Sequence, residues 1–193
     1  MPHASLQIIR DEHAALSAVL QSLLQMIERG PGDEPERFFD VLRAMLFYID
    51  EFPEQRHHPK ESDLLFPKLA RGAPDLMPVI RRLESDHMHG EGRVRELQHL
   101  LMAWELLGEG RREAFVKQAQ EYVRFYLDHM HVEETQLLPA AAKVLSPEDW
   151  KQLDAAFERD RDPLAGGTQE PAYARLFTRI VTRAPAPIGV GPA

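Results

Sequence analysis

Apolar residues recur along most of the chain at alternating spacings of three and four, the period of a helix with one buried face. The first such stretch carries Leu6, Ile9, His13, Leu16, Leu20, Leu23 and Ile27 and stops at Arg29-Gly-Pro-Gly-Asp33. A second begins near Glu36, sets Phe38, Leu42, Met45, Ile49 and Phe52 on one side, and runs on through Pro53 and Pro59 towards Pro67. A proline inside a helix removes a hydrogen bond and kinks it, so the phase of the stripe beyond Phe52 stays open. The third stretch starts near Pro74 and aligns Leu76, Ile80, Leu83, His87, Glu91, Val94, Leu101 and Trp104 before a turn at 107–110. The fourth aligns Phe115, Ala119, Tyr122, Tyr126, His129, Glu133 and Leu137 and ends at Pro139. Strand-like alternation is nowhere sustained. The pattern predicts an all-α fold built as an antiparallel up-down four-helix bundle.

After Val144 the character changes. Ser146 followed by Pro147, Glu148 and Asp149 reads as a helix start, and Trp150, Leu153, Ala156 and Phe157 supply its apolar face. A short helix is expected from Ala172 to Arg183, and the Pro- and Gly-rich segment 184–193 reads as a flexible end. The chain therefore divides into a bundle over 1–144 and a helical appendage with a tail over 145–193.

The chemistry lies in a repeat. His57-His-Pro-Lys-Glu61 and His129-Met-His-Val-Glu133 both spell His-x-x-x-Glu, and each has a proline six residues after its Glu. The first and third stretches each place one His, His13 and His87, in an otherwise apolar seam. Residues four apart on a helix share a face, so each pair presents a nitrogen and an oxygen to one point. Helices of a bundle build metal sites from such inward ligands. A satisfied core histidine is the commoner reading of any one seam His, but two buried glutamates without partners would cost several kcal/mol each. Glu91, four after His87, counts as a further candidate ligand, although Gly90 and Gly92 beside it leave room to re-aim it. His58 falls about 100° round the helix from His57 and reads as a residue beside the centre or at its entrance. His3, His89, His99 and His131 read as peripheral.

Composition narrows the metal. The chain has nine His and no Cys, which excludes thiolate zinc sites, iron–sulfur clusters, disulfides and cysteine nucleophiles. Imidazole and carboxylate together suit iron, manganese or zinc. With 23 Lys and Arg against 31 Asp and Glu the formal charge is −8, which disfavours nucleic acid and anionic membrane as partners. No targeting or spanning segment is evident, so a cytoplasmic protein is expected.

With these residues in place, the sequence from about 5 to 140 resembles the hemerythrin-like, or HHE cation-binding, family. That family carries His on its first helix, His-x-x-x-Glu on the second, His on the third and His with a carboxylate on the fourth. The resemblance implies a non-haem di-iron centre, oxo- or hydroxo-bridged, with His13, His57, Glu61, His87, His129 and Glu133 as ligands and the two glutamates as bridges. Manganese or zinc would be substitutes. It implies binding of dioxygen, nitric oxide or peroxide for sensing, storage or detoxification, with a peroxidase-like, catalase-like or nitric-oxide-reducing enzyme as the alternative. Oxygen-carrying members have a second His where this chain has Glu91, and an extra carboxylate there would favour the ferric state. Leu16, Ile49, Leu83 and Tyr126 are expected to line the ligand cavity, with the Tyr126 hydroxyl either donating a hydrogen bond to the ligand or satisfied within the core. Ferritin-like iron handling, suggested by Glu54-x-x-His57 and Glu84-x-x-His87, leaves His13 and His129 unexplained.

Overall fold

A computed structural model describes residues 3–168 and 170–184. Among these the chain is all helical, with no strand. Four long helical runs come first: α1 (Ala4–Arg29), α2 (35–72), α3 (Met77–Leu107) and α4 (112–144). Two shorter helices follow, α5 (Pro147–Arg159) and α6 (Ala174–Arg183). Gly30 and Gly108, at φ 74° and 87°, end α1 and α3 in a backbone region open to glycine, and short loops return the chain. Helix α1 packs on α2 and α4, α2 on α3, and α3 on α4, so the four runs close a ring.

The expected proline kink does not break α2. The helix widens to π turns over 50–57 and 61–65, and α4 does the same over 133–137. Pro59, Pro67 and Pro139 each stand two residues past the end of such a turn. A helical proline ring clashes with the carbonyl four residues back, and a wider turn before it moves that carbonyl aside. The i→i−5 bonds from Phe66 N–H to the Glu61 carbonyl, and from Leu138 N–H to the Glu133 carbonyl, mark the change.

The interior divides into two apolar clusters. One gathers Leu20, Leu23, Leu42, Met45, Trp104, Phe115 and Tyr122 with Phe177 and Ile180 of α6. The other gathers Leu6, Ile9, Phe66, Leu83, Leu137 and Leu138 with Trp150, Leu153 and Phe157 of α5. The segment after 145 is thus packed into both ends of the core. Helix α5 lies on α1 and begins with a reciprocal Ser146–Asp149 capping box, as its first residues predict. Ala184, read from sequence as the start of a flexible end, is buried, and residues 185–193 lie outside those described. No helix among the described residues is long and apolar enough to cross a membrane.

Candidate metal centre

Between the two apolar clusters lies a buried polar layer. His13 comes from α1, His57, His58 and Glu61 from α2, His87 from α3, and His129 and Glu133 from α4. The side chains of Glu61 and Glu133 are 0% and 1% exposed. Glu61 sets one oxygen 3.4 Å from His57 Nε2 and the other 3.6 Å from His87 Nε2. Glu133 mirrors it, with one oxygen 3.3 Å from His13 Nε2 and the other 3.2 Å from His129 Nε2. Each carboxylate therefore faces one imidazole pair with one oxygen and the opposite pair with the other.

The outer nitrogens of these rings are held. His57 Nδ1 meets Glu12 at 2.6 Å, His13 Nδ1 meets Glu134 at 3.0 Å, His87 Nδ1 meets the Ser62 hydroxyl at 2.8 Å, and His129 Nδ1 meets Asp86 at 3.3 Å. A partner on Nδ1 sets ring orientation and tautomer and leaves Nε2 free to bind a cation. By contrast, all four oxygens of Glu61 and Glu133, and His57 Nε2, are buried without a hydrogen-bond partner. Two donors on one ion, each at about 2.1 Å and at right angles, stand about 3 Å apart. The spacings of 3.2 to 3.6 Å between nitrogen and oxygen are close to that, so the residues fit a pair of cations.

The electrostatics without a cation are strained. Burial opposes protonation of His129, but Glu133, Asp86 and Glu61 outweigh it and push its pKa to about 10. His57 is likewise raised against its burial by Glu61 and Glu12. Burial, with other imidazoles close by, holds His87 and His58 down. Burial also pushes Glu61 up, reinforced by the charge on Glu133. Protons on some rings compensate the carboxylates only partly, and a divalent cation would replace them.

Three sets of side chains bring their ligand atoms within 4.8 Å of one another: His13, His57 and Glu61; Glu61, His87, His129 and Glu133; and His58, His87 and His129. Six of the seven residues predicted from sequence thus come together. Glu91 does not. Its side chain is 43% exposed, pairs with Arg95 and accepts from Gln55 at 2.8 Å. The buried stripe of α3 steps from Leu83 to Gly90 and Val94, so Glu91, between Gly90 and Gly92, falls on the exposed side. Gly90 has a different use: a Cβ there would collide with the Tyr126 hydroxyl and the Glu54 carboxylate.

His58, expected beside the centre or at its entrance, is buried and stands on the wall of the cavity that reaches the centre. The π turn over 50–57 lowers the angle per residue and brings His58 into line with Glu54, whose carboxylate meets His58 Nδ1 at 3.1 Å. The sequence reading misses Glu12, Glu54, Glu134, Asp86 and Ser62 as ring partners; an acid within three positions of a seam His was an available signal for Glu12, Glu54 and Asp86. Of the two readings of Tyr126, the structure has the core one: its buried hydroxyl donates to Glu54.

A small cavity reaches the centre, lined by His13, His57, His58, Leu16, Phe52 and Met130, with Asp160 and Asp162 also on its wall. Of the four residues expected to line it, only Leu16 does. About 20 Å³ of it is open to the centre of a water-sized molecule. A search of curated proteins finds no match to this chain. A family model described as the hemerythrin HHE cation binding domain matches residues 4–141, which contain every residue of the buried layer. That span is most of the chain, and with the His and Glu cluster inside it the chain belongs to the hemerythrin HHE cation-binding domain family.

Proposed function

We propose that this protein holds two iron ions in the family's antiparallel four-helix bundle and binds a small ligand such as dioxygen, nitric oxide or peroxide. His13 and His57 would hold one ion and His87 and His129 the other, with Glu61 and Glu133 shared between them. The observation that carries this reading is the set of four buried carboxylate oxygens with no hydrogen-bond donor, set among imidazole nitrogens. Leaving buried carboxylates unpaired costs several kcal/mol each, and a cation removes that cost. The ions would supply reversible electron transfer to the ligand. The protein supplies ring orientation through the Nδ1 partners, an apolar wall from Leu16 and Phe52, and exclusion of bulk water.

Cavity size limits the ligand. One water needs roughly 10–15 Å³ by the same measure, so about 20 Å³ suits a diatomic or a single small molecule. Glu91 also bears on the choice between binding and turnover. An added carboxylate on α3 would oppose reversible binding, and the Glu91 side chain points away from the centre. The test is to expose the ferrous protein to oxygen under anaerobic control. Binding predicts a visible absorption that disappears when oxygen is removed; irreversible oxidation with consumption of added peroxide would favour the enzyme instead.

A further inference from the structure

Resting on the two-metal reading, we infer that His58 is a ligand to the ion held by His87 and His129, taking the place on that ion that Glu91 leaves empty. The His58 ring stacks on His87, with centroids 4.2 Å apart and planes 13° apart, and its centroid is 5.6 Å from that of His129. Its ligand atom lies within 4.8 Å of theirs. Its Nδ1 is engaged by Glu54, so Nε2 is the nitrogen left for a metal.

Glu54 is built to hold that ring. One of its oxygens accepts from the Tyr126 hydroxyl and from Tyr122 at 3.1 Å, and the other faces His58. Its side chain is 2% exposed. Gly90 is what allows this group to form, because any larger residue on α3 would strike both Tyr126 and Glu54. Glu54, Tyr122 and Tyr126 are therefore positioning residues, and His58 is the group that touches the metal. The two ions become unequal, since Met130 occupies the position after His129 that His58 occupies after His57. Three imidazoles serve one ion and two serve the other.

The test is an anaerobic titration of the full-length apoprotein with ferrous iron against a competing chelator. Wild type, His58→Gln, Glu54→Gln and Glu91→Gln are compared, with circular dichroism and melting to confirm folding. Wild type takes up two ions. His58→Gln keeps the first and weakens the second by more than the roughly 10- to 100-fold typical of losing an outer hydrogen-bond partner, which is the loss expected for Glu54→Gln. Glu91→Gln matches wild type, and added imidazole restores the second ion to His58→Ala. The inference is overturned if His58→Gln binds both ions as wild type does, or if Glu91→Gln loses the second ion as well. Should His58→Gln fail to fold, Glu54→Gln decides: a second ion bound as tightly as in wild type overturns the inference. A wild type that binds no ion overturns the two-metal reading itself, a result distinct from two ions bound equally by wild type and His58→Gln.

Discussion

The segments 57–67 and 129–139 are built on one backbone plan but stand in different surroundings. In both, a five-residue π turn opens at the glutamate, and Leu65 and Leu137 end it at the same φ −76° and ψ −52°. In both, the residues that follow drop into the same apolar cluster, Phe66 and Leu69 from one and Leu138 and Ala141 from the other. The surroundings differ. His57 leans on buried Glu12, which also accepts the Asp162 backbone N–H from the segment after α5. His129 leans on Asp86, whose other neighbour is Arg82 near the surface. The positions three before each His, Glu54 and Tyr126, differ in kind and bond to each other across the centre. A duplicated scaffold places the two carboxylates alike, while the flanking positions make the halves unequal.

The largest expected effect tests what the halves share. Chelating the ions should lower the melting temperature steeply, because an ion at a thousandfold above its dissociation constant contributes about 4 kcal/mol. For a chain of this length each kcal/mol is worth roughly 2–4 °C. Replacing Glu61 and Glu133 together by Leu should reverse the sign, giving a metal-free protein that melts above wild-type apoprotein. A doubly substituted protein that melts lower would mean the carboxylates are satisfied without cations.

Next comes the shared apolar footing. Phe66→Ala and Leu138→Ala should each cost about 2–5 kcal/mol in chemical denaturation, since both side chains are fully buried. A much smaller loss at one of them would break the equivalence of the two segments.

The outer partners should separate the halves. Glu12→Gln should weaken the ion at His13 and His57 by roughly 10- to 100-fold, because its bond to His57 is short and buried. Asp86→Asn, acting over 3.3 Å on a more exposed carboxylate, should cost less. Competition titration of both variants gives the order directly.

The smallest effect concerns Asp162, in the segment after α5, whose backbone N–H donates to Glu12 beside the first repeat. Burial raises the Asp162 pKa to about 6, with Tyr48 and the Leu164 N–H opposing the shift. The folded state then binds more protons than the unfolded state between about pH 4 and 6, so this group makes stability fall as pH rises through that window. Asp162→Asn should flatten the metal-free protein's stability profile there and leave it unchanged above pH 7.

Much of this was legible in the sequence. The three-and-four spacing located the four long helical runs, and the repeated His-x-x-x-Glu with its trailing proline picked out six residues that the fold brings together. What was hidden depended on local helix geometry. His58 turns inward because the π turn before it alters the angle per residue, which a fixed 100° step cannot show. Glu91 points outward because the buried stripe of α3 runs from Leu83 through Gly90 to Val94, a choice between neighbouring positions that the three-and-four spacing alone does not make. Glu12 reads as an ordinary helix acid and Glu54 only as part of a ferritin-like spacing until the packing of α1, α2 and α4 makes them ring partners. The segment after 145 carries no chemical motif, and its contact with the cavity wall follows from Asp162 N–H bonding Glu12 of α1 and Lys60 of α2 bonding the Asp160 carbonyl.

Metal content tests the central claim most directly. Full-length protein purified after growth with ample iron, analysed by elemental mass spectrometry against amino-acid quantitation, should hold two irons per chain. Folded protein that holds no metal, and takes up none on anaerobic addition of ferrous iron, would contradict the account.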